Sequence, residues 1–299
     1  MIDPKLRSYV RGLGLLISLL ALAFVVYQFS QQSGFDSLRS LQVKDWILVL
    51  LLSGAYAVAS VLLALSWRLI LLHTGSQASW SWAIVTYGVS QLAKYLPGNV
   101  LHFAGRQALA MSSGLPGKGV LWSTAYELMS LSLAGLSISL IFLTRLGWTE
   151  VQAISTAVGF VVVVSLCLER LKFRHLMAAY LLHVVFLLVS GSIFAIVVHT
   201  LGLEGERIGQ LMYWLCAAHV AAWLVGLLVP GAPAGLGVRE ATLLVLLDGL
   251  LPAGLLLVAV AVARLVNLMG DLIFFAVSAL IYPRIKNTNN AVKSSGETH

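Results

Sequence analysis

Along the chain, long uninterrupted apolar runs alternate with short polar breaks. The runs predict helices near 12–30, 46–72, 119–144, 151–168, 176–199, 209–229 and 255–281. Each approaches the ~20 residues that a helix needs to cross the hydrocarbon core of a bilayer. Two stretches depart from the pattern. Between 79 and 118 the apolar pieces are interrupted by Lys94-Tyr95-Leu96-Pro97-Gly98-Asn99. The stretch 230–254 opens with Pro230-Gly231-Ala232-Pro233-Ala234-Gly235-Leu236-Gly237. Proline and glycine interrupt the helical hydrogen-bond ladder, and backbone groups freed at membrane depth are tolerated only against protein or water. Both stretches are therefore expected to be re-entrant or broken helices; ordinary surface loops are the competing account. For the C-terminus to end inside, the piece 237–251 has to reach across, giving about eight crossings.

Composition turns this pattern into a class. Hydrophobic residues make up 59% of the 299 positions and charged residues only 10%, with a mean hydropathy of +0.92. An average soluble domain carries about 25% charged residues, so this chain could not cover a soluble surface. The expected fold is all-α: a polytopic integral membrane bundle forming one domain over 1–286, with 287–299 a disordered cytoplasmic tail. Most soluble enzyme classes are excluded. The formal charge of +7, from 19 basic and 12 acidic residues, marks cytoplasmic loops rather than a nucleic-acid partner. Basic flanks precede the first run and occupy 169–175 and the tail, whereas Leu203-Glu204-Gly205-Glu206-Arg207 is acidic on balance. These signs agree with both termini on the cytoplasmic side of a bacterial inner membrane. Ala21-Leu22-Ala23 imitates a cleavage site, but the apolar run continues past it, so a retained anchor is expected. Cys167 and Cys216 lie inside apolar runs and read as small packing residues.

The two breaks resemble each other. Pro97, Gly98, Arg106 and Ala108 match Pro230, Gly231, Arg239 and Ala241 at one shift of 133 residues. Pro-Gly is common in turns, so chance competes with an internal repeat, and the match leaves inverted and parallel arrangements both open. Paired broken helices in two halves are nevertheless the best sequence pointer to a transporter's binding site. Arg106 and Arg239 each follow a break by one short helical stretch. A half-helix start and a guanidinium together suit a phosphate, and a lipid headgroup is the obvious one at this depth. The bland account has them snorkelling to the interface.

A carboxylate in mid-span is costly, which singles out Glu127. With Ser123, Ser130, Ala134 and Ser137 it forms a small, polar stripe at helical spacing that should face the bundle interior. In the last run Arg264, Asn267, Asp271, Phe274 and Ser278 recur at steps of three and four, and Glu240 follows Arg239 directly. The deep charges then balance: Arg106, Arg239 and Arg264 against Glu127, Glu240 and Asp271. Internal ion pairs that fix helix register are a serious alternative to a polar path, on which Glu127 or Asp271 could also carry a proton. His102, near the first break, could touch a headgroup. His183, His199 and His219 show no metal-ligand spacing. No metal, cofactor or nucleotide site is expected.

At these residues a family resemblance enters. Lys94-Tyr95-Leu96-Pro97-Gly98 with Arg106, and Pro233-Ala234-Gly235-Leu236-Gly237-Val238-Arg239-Glu240, look like the signature stretches of the lysylphosphatidylglycerol synthase transmembrane-region family. The similarity spans roughly 10–285, and Ala234 stands where that family usually has glycine. The resemblance implies a flippase unit without the cytosolic aminoacyltransferase domain of its best-known members, and lipid handling without naming the lipid. The expected function is movement of a phosphate-bearing lipid between leaflets. Lys94, Pro97, Gly98, His102, Arg106, Gly235, Gly237, Arg239 and Glu240 would bind it, and Glu127, Arg264, Asn267 and Asp271 would shape or couple the path. Envelope or glycan-assembly proteins are the expected partners. The alternatives are a membrane enzyme acting on a lipid-linked sugar, against which the short loops and missing acidic cluster count, and a non-catalytic scaffold.

Overall fold

The computed structural model describes residues 42–95, 101–201, 208–229, 235 and 237–296. The expected first span at 12–30, Pro97, Gly98, the acidic loop at 203–207, and Pro230 to Ala234 lie outside the described residues. Among those described the chain is helical, with no strand. Its α-helices are α1 (Val43–His73), α2 (Trp80–Gln91), α3 (Leu101–Ser112), α4 (Gly117–Ser139), α5 (Glu150–Arg170), α6 (Arg174–Thr200), α7 (Ile208–Leu228), α8 (Val238–Leu246) and α9 (Ala253–Gly296). Short 3-10 turns extend α2 over Leu92–Tyr95 and α4 over Leu140–Leu146. Among the described residues, six helices are long and apolar enough to cross a membrane: α1, α4 with its extension, α5, α6, α7 and α9.

Local chemistry sets the ends. Before α1, the Asp45 carboxylate accepts from the Gln42 N–H at 2.8 Å, and the acid suits the positive start of the helix dipole. Thr149 and Gln152 form a reciprocal capping box at the start of α5, and Ser79 accepts from the Trp82 N–H at the start of α2. Between these ends, apolar residues cover the helices all round, the pattern of segments solvated by lipid or protein rather than water. α1, α6 and α9 pack against one another at the centre, α7 and α4 close on α6, and α2 lies against α9 and α1. α5 is peripheral, burying only Ala153 and Ala157. Glycines sit where central helices touch. A Cβ on Gly270 of α9 would lie 2.7 Å from the Tyr56 ring and 2.8 Å from the Ser53 carbonyl of α1. One on Gly191 of α6 would lie 2.8 Å from the Cys216 carbonyl of α7, and Gly88 of α2 faces Ser278 of α9 just as closely.

One expectation needs correction. The piece 237–251 is not one spanning helix: α8 is nine residues long, about 14 Å at 1.5 Å per residue, roughly half of a hydrocarbon core. Hydropathy had no way to show that stop. It comes from the turn at Gly249, whose φ of +71° is left-handed, and from Pro252 just before α9. At the other end, α9 continues as helix to Gly296. Extending a helix that already exists avoids the unfavourable nucleation step, so polar residues can be carried along. α2 and α3, twelve residues each or about 18 Å, are likewise individually too short to span.

Candidate functional site

Arg106, the sixth residue of α3, is met by the carboxylate of Glu127 from the middle of α4. Nη1 donates to Oε1 at 3.1 Å and Nη2 donates to Oε2, a two-pronged pair. The Tyr87 hydroxyl of α2 donates to the same Oε1 at 3.0 Å. Aromatic rings surround the guanidinium, with ring centres 4.4 Å away for Tyr87, 4.7 Å for Trp67 and 5.4 Å for Phe103. Arg106 is 1% exposed and Glu127 0%, so each charge depends on the other for compensation. The whole small-polar stripe of α4 faces inward as its spacing implied: Ser123, Glu127, Ser130, Ala134 and Ser137 are all buried. Ser123 accepts from the Trp67 indole N–H at 3.1 Å. Ser130 meets His183 Nδ1 at 2.8 Å, while Ser66 meets its Nε2 at 2.6 Å. His183 is thus a satisfied packing residue.

The second half is built differently. Gly235 and Gly237 hold φ of +69° and +79°, a left-handed backbone that side chains resist, and α8 begins at once. Its second and third residues, Arg239 and Glu240, have separate fates. Glu240 pairs with Nε of Arg264 from α9, whose Nη2 also donates to the Gly235 carbonyl at 3.2 Å. Arg239 has no carboxylate partner among the described residues. Its Nε is buried without a hydrogen bond, and its guanidinium carbon lies 5.4 Å from the Trp223 ring centre. The stem of Arg239 threads between two glycines. A Cβ on Gly226 of α7 would lie 2.6 Å from its Cγ, and one on Gly235 would lie 2.7 Å from its Nε.

A third pair joins the halves. Lys94, at the end of the α2 extension, lies 2.7 Å from Asp271 Oδ2 of α9. The Tyr95 hydroxyl donates to the same oxygen at 2.6 Å, leaving the buried Oδ1 unpartnered. Burial pulls the Lys94 ammonium down from its ordinary range, against the opposing pull of Asp271. These groups line a central cavity of about 70 Å³, room for several waters. Its charged walls are Lys94, Glu127, Arg239, Arg264 and Asp271, and its neutral polar walls include Tyr56, Gln91, His102 and Asn267. Burial, with Arg106 and Lys94 nearby, pushes His102 down to about 3, so it faces the cavity uncharged. A second cavity of about 20 Å³ lies between α7, α8 and α9, with His219, Glu240, Arg239 and Arg264 on its walls. His219 Nδ1 and Glu240 Oε2 are unpartnered there, and the space suits about one water.

Of the residues singled out from sequence, Lys94, His102, Glu127, Arg239, Arg264, Asn267 and Asp271 come together around the central cavity. Arg106 stands behind its wall, tied to Glu127. Glu240 faces the small cavity, and Gly235 and Gly237 shape the turn into α8. The expected three-to-three balance of deep charges is revised, because Lys94 joins as a fourth cation and Arg239 becomes the surplus. Sequence reading missed Tyr56, Tyr87, Gln91, Tyr95, Trp223 and Gly226. A signal existed for two of these, since Tyr87 and Gln91 are one turn apart and Gln91 is one turn from Lys94 and Tyr95. No group of three or more His, Cys, Asp and Glu that could hold a metal occurs among the described residues. No family model matches the sequence, and no curated protein matches it.

Proposed function

We propose that this protein moves a phosphate-bearing lipid between the leaflets of a bacterial inner membrane, with both termini cytoplasmic. In this reading α2 with α3, and α8 with the segment before it, are re-entrant or broken elements meeting at the central cavity within about eight crossings. One observation carries the reading: Arg239, a cation with no carboxylate partner among the described residues, faces a cavity with room for several waters among long apolar helices. An unpaired buried charge costs several kcal/mol, and such a residue among spanning helices marks a ligand or ion path. The partial positive charge at the start of α8 adds to it. The resemblance of the stretches around Lys94 and Arg239 to the lysylphosphatidylglycerol synthase transmembrane-region family supports the same assignment, as does the spacing shared by the two breaks.

The test is movement of labelled phospholipid in proteoliposomes containing purified protein. Arg239→Ala is expected to abolish movement while the protein keeps its thermal stability in detergent. Wild-type-like movement by that variant would refute the role of the arginine. An enzyme acting on a lipid-linked sugar would instead change the headgroup chemically, and a scaffold would leave lipid distribution untouched; the same assay separates both from transport.

A further inference from the structure

Counting charges at the cavity leads from the existence of a ligand to its valence. Three pairs are closed: Arg106 with Glu127, Arg264 with Glu240, and Lys94 with Asp271. The remaining cation is Arg239, with an unpartnered Nε. The cavity therefore presents one net positive charge from the described residues, together with uncharged hydrogen-bonding groups. Tyr56, Gln91 and Asn267 line it and make no side-chain hydrogen bonds to the described residues. Charges in a poorly hydrated site have to be matched one for one, because each unmatched buried charge is strongly disfavoured.

Resting on the lipid-moving reading, we infer that the cavity selects a headgroup of one net negative charge: a phosphodiester whose remaining head is an uncharged polyol, glycerol or sugar. Arg239 takes the phosphodiester oxygens, and Tyr56, Gln91 and Asn267 take the hydroxyls. A zwitterionic head brings a second cation beside Lys94, Arg239 and Arg264, and like charges at such distances repel. A diphosphate-linked or phosphomonoester head brings a further negative charge that only opening one of the three pairs could neutralise. Both outcomes leave a charge unbalanced, whereas the single phosphodiester leaves none.

The experiment compares lipids of different valence in proteoliposomes of the full chain. Labelled glycerol-headed phospholipid and glycosyl phosphoryl polyprenol represent the single phosphodiester. Ethanolamine-headed phospholipid, phosphatidate at pH 8 and diphosphate-linked polyprenol are the comparators. Either or both of the first two are expected to move at least tenfold faster than each comparator, and which one moves identifies the lipid source. Soluble glycerophosphoglycerol is added in a separate arm; inhibition by it shows that the head alone is recognised. Asp271→Asn, which adds one net positive charge, is expected to shift the preference toward the dianionic lipids. Glu240→Gln makes the same change if the first variant does not fold. Equal rates across the panel, or faster movement of the zwitterion, overturn the valence rule and leave transport standing. If no lipid moves, transport falls, and native mass spectrometry decides the valence rule alone. Arg239-dependent binding of glycerol-headed over ethanolamine-headed lipid upholds it, and indifferent binding overturns it.

Discussion

Arg106 and Arg239 occupy matching places after the two breaks, 133 residues apart, yet their electrostatic situations are opposite. Arg106 is fastened to Glu127 by two hydrogen bonds and ringed by Tyr87, Trp67 and Phe103. Arg239 faces the cavity with Trp223 beside it and no carboxylate paired to it among the described residues. A buried pair of this kind is weak evidence of extra stability, because desolvation offsets the attraction, but either partner alone is severely disfavoured. The first arginine therefore works as a fastener between α3 and α4, and the second as an open contact. Two arginines at matching sequence positions thus divide their roles by whether a neighbouring helix supplies a counter-charge.

The contrast can be broken most forcefully at Glu127. Glu127→Ala strands Arg106 and is expected to cost about 3–5 kcal/mol, read as a large fall in the unfolding midpoint in detergent or a failure to accumulate. The double change Arg106→Met with Glu127→Leu should recover most of that loss, and a Glu127→Ala protein as stable as the parent would show that Arg106 does not depend on it. Arg239→Met should do the reverse, leaving the midpoint unchanged or raised while lipid movement disappears. Gly226→Ala sharpens the same point by pressing on the stem of Arg239. Lipid movement should fall several-fold, with an overpacking cost of about 1–3 kcal/mol, and in an Arg239→Ala background the added methyl should change lipid binding no further. The smallest effect belongs to His102. Its folded pKa lies below its ordinary value, so the unfolded chain binds more protons between the two. Stability is therefore complete above about pH 6.5 and declines as pH falls toward 3. His102→Asn should flatten that decline, and an unchanged acid profile would contradict it.

Much of the bundle was legible because lipid solvation writes long apolar runs. The run at 46–72 became Val43–His73 and that at 176–199 became Arg174–Thr200, each end moving only slightly. The inward face of α4 was legible too, since Glu127 cannot stand among lipid tails and its helical neighbours must share its face. The pairing of charges was not. Lys94 and Asp271 meet because α2 lies along α9, a tertiary fact with no local periodicity. Without it the deep charges seemed to balance, and the surplus on Arg239 stayed hidden. The extent of α8 was obscured for a different reason: its apolar residues continue past Leu246, but a left-handed glycine and a proline end the helix regardless of hydropathy.

The glycine contacts of the central helices also have a mechanical consequence. Where one backbone rests directly on its neighbour, as at Gly270 on α1, Gly191 on α7 and Gly88 on α9, the joint acts like a pin. It permits small pivoting but resists sliding, because the next side chain along would collide. These pins yoke α1, α2 and α9 into one block and α6 and α7 into another. The inward stripe of small residues on α4 thus accompanies a latched frame. Gly105 of α3 has open space around it, and α8 is short and tethered by flexible arginine stems. The two short helices that carry Arg106 and Arg239 are held instead through side chains, α3 by Arg106 on Glu127 and α8 by Glu240 on Arg264.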